Sequence, residues 1–424
     1  MKRIYLTLII ILASAFHVFA AIDKSSNKWT ATTISQNQTI EFDSNSPEAI
    51  TLSGTITINA GCKLTIQNNS GKTIKITKTN TGVMFSTKSG GALEIIGSEN
   101  QRIIIDGGAD LTWTDYALIT GTNHKTTQSS AISNAGTLSL SYVTIQNVLT
   151  TAMYNGAISV TSKNGTTTID HCTIQKCQSG SGAAITINNS GASDPEKCKV
   201  SVLNSTITQC ITGNHTTNNS GGAIRTLGGT VSNLYLTNST FSYNYARRNQ
   251  DYDNTLEKDG NGGALFWNGR GKETTTCYID GCTFTHNKCD DNGGAIKAQG
   301  SIVFRNNLTT ISENTAPFGA GIFIEGYTGS VSIGKPCTIE YDLNEHLLVT
   351  NNVATSYVYD GITYPGKGAG IHFDFGSKMK LDAQSTVTVN LSGATIQNNT
   401  GDLGGGIYYE ENAPTSRKYK FYIF

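Results

Sequence analysis

The chain has 424 residues, with 31 basic and 31 acidic side chains, so its formal charge is zero and no nucleic-acid partner is indicated. Gly is abundant at 45 residues, Pro is scarce at 6, and charged residues make up only 15%. With Thr, Ser, Asn and Ile prominent, that composition excludes a disordered chain and suits stacked strands.

Residues 1–20 read as a secretory signal peptide. Lys2 and Arg3 precede an apolar run from Ile4 to Ala15, and Val18-Phe19-Ala20 offers a cleavage site ahead of Ala21. The run is too short to span a membrane, and no Cys follows it to carry a lipid. The leader looks bacterial and predicts export. No later segment approaches a transmembrane helix. Residues 21–130 contain short strand-like runs, among them 50–58, 63–67, 72–77, 90–97 and 102–107. They are expected to form the opening coils of a solenoid, with 21–50 helping to cover its first edge, which would otherwise template further pairing.

Residues 131–424 hold a repeat. T-I-Q-N-V at 144–148 recurs in related form to T-I-Q-N-N at 395–399. Its apolar column is Ile145, Ile174, Ile207, Phe241, Phe284, Ile311, Val349 and Ile396. Three positions on comes Val148, Cys177, Cys210, Asn244, Asn287, Asn314, Asn352 and Asn399. A glycine-rich turn follows each copy and leads to Ile158, Ile185, Ile224, Leu265, Ile296, Ile322, Ile371 and Ile407. Neither half of such a unit buries its apolar face alone, but stacking on the next unit does. The glycines allow positive φ and close backbone approach, and the Asn column suits a ladder of stacked amides. These features predict an all-β, single-stranded right-handed parallel β-helix. The chain ends soon after GGGIYYE (404–410) without an obvious polar cap, so it is expected to continue further or into a partner.

GGAI (221–224) with FSYN (241–244), GGAL (262–265) with FTHN (284–287), and GGAI (293–296) carry the paired GGA[ILV] and FxxN signature. This resembles the polymorphic outer-membrane protein repeat of chlamydial autotransporter adhesins, within the wider pectate-lyase-like β-helix superfamily. The resemblance covers roughly residues 130–410. It implies a β-helical passenger at a bacterial surface, often adhesive, associated with the outer membrane through a C-terminal region. A C-terminal β-barrel is not expected in the little chain left after Glu410.

Function is expected where the repeat is irregular. From the Asn column to the next turn's apolar residue the minimum spacing is 8 residues, but it is 14 from Cys210 to Ile224, 21 from Asn244 to Leu265 and 19 from Asn352 to Ile371. All three insertions leave one turn, and one-sided insertions mark a binding face. Loop 245–261 brings Tyr245, Arg247, Arg248 and Tyr252, and loop 353–367, the second long insertion, brings Tyr357, Tyr359 and Tyr364, residues suited to a host glycan or surface protein. Beside each turn, an outward column of Arg225, Phe266, Lys297, Phe323, His372 and Tyr408 is expected to add an aromatic stripe. The next outward column places Glu325, Asp374 and Glu410 about 4.8 Å apart as an acidic ladder. As an alternative to a solvated face, that ladder suits Ca2+, or acid and base for a polysaccharide lyase or glycoside hydrolase. The catalytic signal is weak, because Asp290-Asp291 has no glycine-flanked His or Arg-x-Lys partner. The 9 Cys include no CxxC and no zinc spacing, which leaves small buried filler as the ordinary reading. Cys177 and Cys210, one coil apart, are close enough for a disulfide or for two free thiols.

Overall fold

The glycine and asparagine turns wind the chain into a parallel β-helix, and three parallel sheets of twelve strands each run its length. The structure is a computed structural model. It describes residues 22–424 except 121–128, 151, 153, 214–218, 249–259, 270–274, 327–337, 360–361, 376–385, 411–418 and 423–424. The signal peptide expected at 1–20 lies outside the described residues. One coil shows the path: Ile296–Gln299 after the glycine turn, Ser301–Phe304, Thr309–Ser312 before the asparagine, then Thr315–Ala316 before the next glycine turn. These short strands after the asparagine form a fourth sheet of seven strands, beginning at Gln178–Ser179. Residues 28–42 already supply the first rung of all three long sheets. Within this rung, Trp29 stacks on Phe42 with ring centroids 6.0 Å apart and donates its Nε1–H to the Asp23 carbonyl.

Both apolar columns stack in the register that the repeat requires. Ile174 pairs with Ile207, Ile207 with Phe241, Phe241 with Phe284, and Phe284 with Ile311. On the glycine side Ile224 pairs with Leu265, Leu265 with Ile296, and Ile296 with Ile322. Side chains alternate, so in Lys63–Asn68 every second residue points inward. The inward columns merge into one core running from Ile22 to Leu391. Each fully buried Ile or Leu in it contributes roughly 1.5–3 kcal/mol relative to exposure.

The asparagine column is a closed hydrogen-bond ladder. Asn287 Nδ2 donates to Asn314 Oδ1 at 3.0 Å, and Asn314 Nδ2 donates to Asn352 Oδ1 at 2.9 Å. The same Oδ1 atoms also accept the backbone N–H of the preceding asparagine, as from Asn287 to Asn314 at 2.8 Å. The second amide hydrogen goes back to a carbonyl of the apolar column, Phe284 in the case of Asn314. Each ladder residue from Cys177 onward follows one in the left-handed region, with φ from 51° at Lys176 to 59° at Glu313. That residue reverses the chain and lets the asparagine face the interior.

Beside this ladder runs a shorter one that accounts for two of the cysteines. Val143 N–H donates to Cys172 Sγ, Cys172 N–H to Ser205 Oγ and Ser205 N–H to Ser239 Oγ; further along the column Cys282 N–H donates to Thr309 Oγ1. Cys172 and Cys282 thus stand where hydroxyls stand in neighbouring coils, as acceptors more than as apolar filler. Cys177 and Cys210 occupy the asparagine column before its amides begin, and Cys210 N–H donates to Asn244 Oδ1. The two are free buried thiols in side-chain contact, and burial pushes the Cys210 thiol well up.

The glycine turn has a steric cause. Its first glycine has positive φ, for example 67° at Gly262 and 78° at Gly293. A Cβ on the second, Gly263, would lie 2.0 Å from the Gly294 carbonyl oxygen of the next coil. No side chain fits between backbones that close.

Replacing Asn314 by Ala would strip the Asn287 N–H and amide of their acceptor and the Phe284 carbonyl of its donor, all in the interior. Each buried polar group left unmade costs about 1–3 kcal/mol, so Asn314→Ala should lower stability by about 3 kcal/mol or more. Urea unfolding checks this. Asn314→Asp, which keeps the shape but not the donors, should be at least as damaging.

Candidate binding edge

The turn between the asparagine and the glycines carries the candidate site. Ile211–Thr212, Tyr245–Ala246 and Val353–Ala354 are equivalent strands of the seven-stranded sheet. After each, the chain departs, and it re-enters at a common bridge column that pairs Ser220 with Asn261, and Phe318 with Lys367. The three insertions inferred from spacing therefore do leave one edge.

A fourth insertion shares that edge. Ala109 N–H donates to the Asn147 carbonyl, which places the departure at the same turn. The chain then forms an antiparallel hairpin of Leu111–Thr114 with Ala117–Thr120, closed by Asp115 and Tyr116 at φ 43° and 60°. Sequence reasoning missed it because the opening coils lack the repeat columns against which an insertion is measured. The alternating LTWTDYALIT (111–120) was the available signal.

The hairpin tip reaches coils far along the helix. Tyr116 OH donates to the His286 carbonyl at 2.7 Å across 170 residues of sequence. Its ring meets Trp113, Tyr243 and Tyr245 at centroid distances of 5.7, 6.4 and 6.0 Å. Lys288 Nζ lies 5.7 Å from the Tyr116 ring centroid and 5.1 Å from that of Tyr245. Tyr245 OH donates to Asp290 Oδ1 at 2.7 Å, and Asp290 Oδ2 accepts the Arg248 N–H at 2.8 Å. Tyr243 stacks on His286, whose Nε2 lies 2.8 Å from Glu313 Oε2. Burial pushes the Tyr116 hydroxyl up to about 12. Of the expected loop residues, Tyr245, Arg247 and Arg248 belong to this cluster, while Tyr252 lies outside the described residues.

The second long insertion folds into its own antiparallel hairpin, Tyr357–Tyr359 with Ile362–Tyr364. Tyr357 and Tyr364 stack at 5.0 Å, and Tyr357 packs on Phe318. Val358 and Ile362 stand out at 69% and 55% exposure. The side chain of Tyr359 lies outside the described residues.

The expected aromatic stripe is corrected. Its register holds, with Arg225 beside Phe266, Phe266 beside Lys297, Lys297 beside Phe323, Phe323 beside His372 and His372 beside Tyr408. Yet Arg225, Phe266, Lys297, Phe323 and His372 are only 2–6% exposed, so they present no surface to a ligand. The column points away from the apolar core but lies beneath the glycine turn and the bridge column. Lys297 Nζ donates to Asn261 Oδ1 of that cover at 2.9 Å, and Phe318 packs edge-on against His372. Tyr408, half-buried, alone of the column's expected contacts reaches solvent. Beneath the cover, cations alternate with rings: Arg225 over Phe266, then Lys297 between Phe266 and Phe323 at 5.5 and 5.4 Å.

Glu325, Asp374 and Glu410 do align as a ladder. Its ends are closed by cations of the covered column and the turn. Lys297 Nζ lies 2.7 Å from Glu325, which also accepts from Gln299, and Lys367 Nζ lies 3.2 Å from Glu410. Among the described residues no three His, Cys, Asp or Glu side chains gather as a metal group.

Against known proteins, residues 281–299 match the Chlamydia polymorphic membrane protein (Chlamydia_PMP) repeat. That segment is one FxxN-to-GGAI stretch of the β-helix, the fold the resemblance implies. No curated protein and no solved structure matches the chain.

Burial lowers the His372 pKa to about 4, with Glu410 opposing weakly, so the imidazole is neutral at pH 7. An unfolded chain binds this proton near pH 6.5 while the folded one does not until about 4, so stability is full above 6.5 and falls as pH drops toward 4. The loss should be on the order of 3 kcal/mol, and His372→Phe, which keeps the ring stack, should remove it. Urea melts at pH 7, 5.5 and 4 read both slopes.

Proposed function

We propose that this chain is a surface-displayed bacterial β-helix protein of adhesin-like character, which binds a host glycan or protein through the edge carrying the insertions. One observation carries the reading: four departures from the coil share a single turn, and two of them meet in an aromatic and cationic cluster around Tyr116, Tyr245 and Lys288. The sheet faces have no such freedom, because each residue there is fixed by equivalents one coil above and below. The matched repeat is that of a membrane protein family, which supports display at the outer membrane or cell surface.

The test is adhesion of the purified chain from Ala21 onward to cultured host cells and to extracellular matrix. Shortening 247–260 and 355–366 to the turn length of the uninserted coils should cut binding by about tenfold or more while circular dichroism stays unchanged. Unaltered binding by the folded, trimmed chain would overturn the assignment to this edge.

A further inference from the structure

Strand pairing in the long sheets joins adjacent coils, so the stack would peel from either end one interface at a time. The hairpin of Leu111–Thr114 with Ala117–Thr120 departs from that pattern. It leaves the coil of Ile103–Asp106, and its base is set by Leu111, buried with Ala109 and with Leu149 of the next coil. Its tip lies against the coil of Thr283–Thr285, where Tyr116 OH donates to the His286 carbonyl at 2.7 Å. In the sheet that holds Ile103–Asp106 and Thr283–Thr285, the strands Val143–Gln146, Thr173–Gln175, Thr206–Thr208 and Thr240–Ser242 stand between them. Those five steps of about 4.8 Å span about 24 Å. The extended chain from Ala109 to Tyr116, at about 3.3 Å per residue, reaches about 23 Å. The hairpin therefore lies nearly straight along the helix axis, held at both ends.

More than one bond holds the tip. The Tyr116 ring meets Tyr243 and Tyr245 at centroid distances of 6.4 and 6.0 Å, and Lys288 Nζ lies 5.7 Å from its centroid. Those partners belong to two coils, the ones that follow Thr240–Ser242 and Thr283–Thr285. Opening any interface between root and tip changes the distance that the hairpin spans, so the tip must undock first. We infer that the hairpin is a clasp, which binds the coils from Ile103–Asp106 to Thr283–Thr285 into one cooperative unfolding unit. Peeling from the N-terminal end stops at its root, and peeling from the C-terminal end stops at its tip. Coils outside the unit open without disturbing it. The clasp needs no ligand and acts whether or not the edge binds one.

Native-state hydrogen exchange of the intact chain from Ala21 onward, followed by mass spectrometry in low denaturant, tests the clasp. In Tyr116→Ala the amides of Thr173–Gln175, Thr206–Thr208 and Thr240–Ser242 should exchange about tenfold or more faster, the factor that one hydrogen bond and one aromatic contact supply together. Lys63–Asn68 and Leu347–Thr350 should keep their rates, because they open outside the unit. Tyr116→Phe keeps the ring and loses the hydrogen bond to His286, so it should speed the clasped strands by a smaller factor, about fivefold. Should Tyr116→Ala fail to fold, the same comparison between clasped and outer strands is read from Tyr116→Phe. Acceleration confined to 111–120 and 286–288 would mean that the tip only rests on the surface. Equal acceleration in every coil would mean that the whole stack already opens as one. Either result, or unchanged rates in the clasped strands of the folded variants, overturns the inference.

Discussion

Every coil of this protein is completed by its neighbours, at the spacing of one strand-to-strand hydrogen bond, about 4.8 Å. A side chain in one coil therefore meets the equivalent side chain of the next, and each column must tolerate itself. Apolar columns do so directly, and Phe241 stacks on Phe284 with centroids 4.7 Å apart. A polar column survives burial only if its members satisfy one another. Asparagine can do this, since an amide both donates and accepts, and the chain from Asn244 to Asn399 is hydrogen-bonded throughout. Serine, threonine and cysteine manage it by accepting from the neighbouring backbone, which is why thiols and hydroxyls interchange between Cys172 and Thr309.

The same constraint shapes the covered charged column. Like charges stacked at strand spacing and stripped of water would repel strongly. Here the cations are kept apart by rings: Phe266 separates Arg225 from Lys297, and Phe323 separates Lys297 from His372, which burial holds neutral. Lys297 is offset further by Glu325 from the adjacent column and by Asn261 from the cover. An ion pair so buried is weak evidence of net stabilisation, because desolvation consumes much of the attraction. Its firmer consequence is register: shifting a coil by one residue would leave Lys297 without either partner.

Columns were legible in the sequence because they repeat, and their pairing in the structure matches the alignment residue for residue. Two things were not. The burial of Phe266, Phe323 and His372 depends on the turn folding back over its own strand, which alternation alone cannot reveal: a residue facing away from one core reads as exposed. The hairpin at 111–120 had no repeat column beside it to betray an insertion, and Tyr116 meets His286 over 170 residues, a contact no local pattern encodes. The resemblance to the polymorphic membrane protein repeat rested on legible residues as well, since Gly281 to Gln299 spans the Phe284–Asn287 and Gly293–Ile296 motifs together.

The edge between the two motifs is one place where this architecture varies; the connection after the glycine-side strand is another, running from Gly300 alone to residues 188–199. The asparagine fixes the chain just before the edge, and the glycines, pressed against the next coil's carbonyls, fix it just after. Whatever lies between must only leave and return at set points. Lengthening it adds loop-closure entropy that grows slowly, about 0.6 kcal/mol for each doubling. An insertion into a sheet face would instead break the register of every column on that face. The hairpin exploits that freedom: lying along the variable side, it brings Tyr116 against Tyr243, Tyr245 and Lys288 of later coils. A solenoid whose strands pair with those of adjacent coils gains at this edge a side-chain cluster assembled from distant parts of the chain.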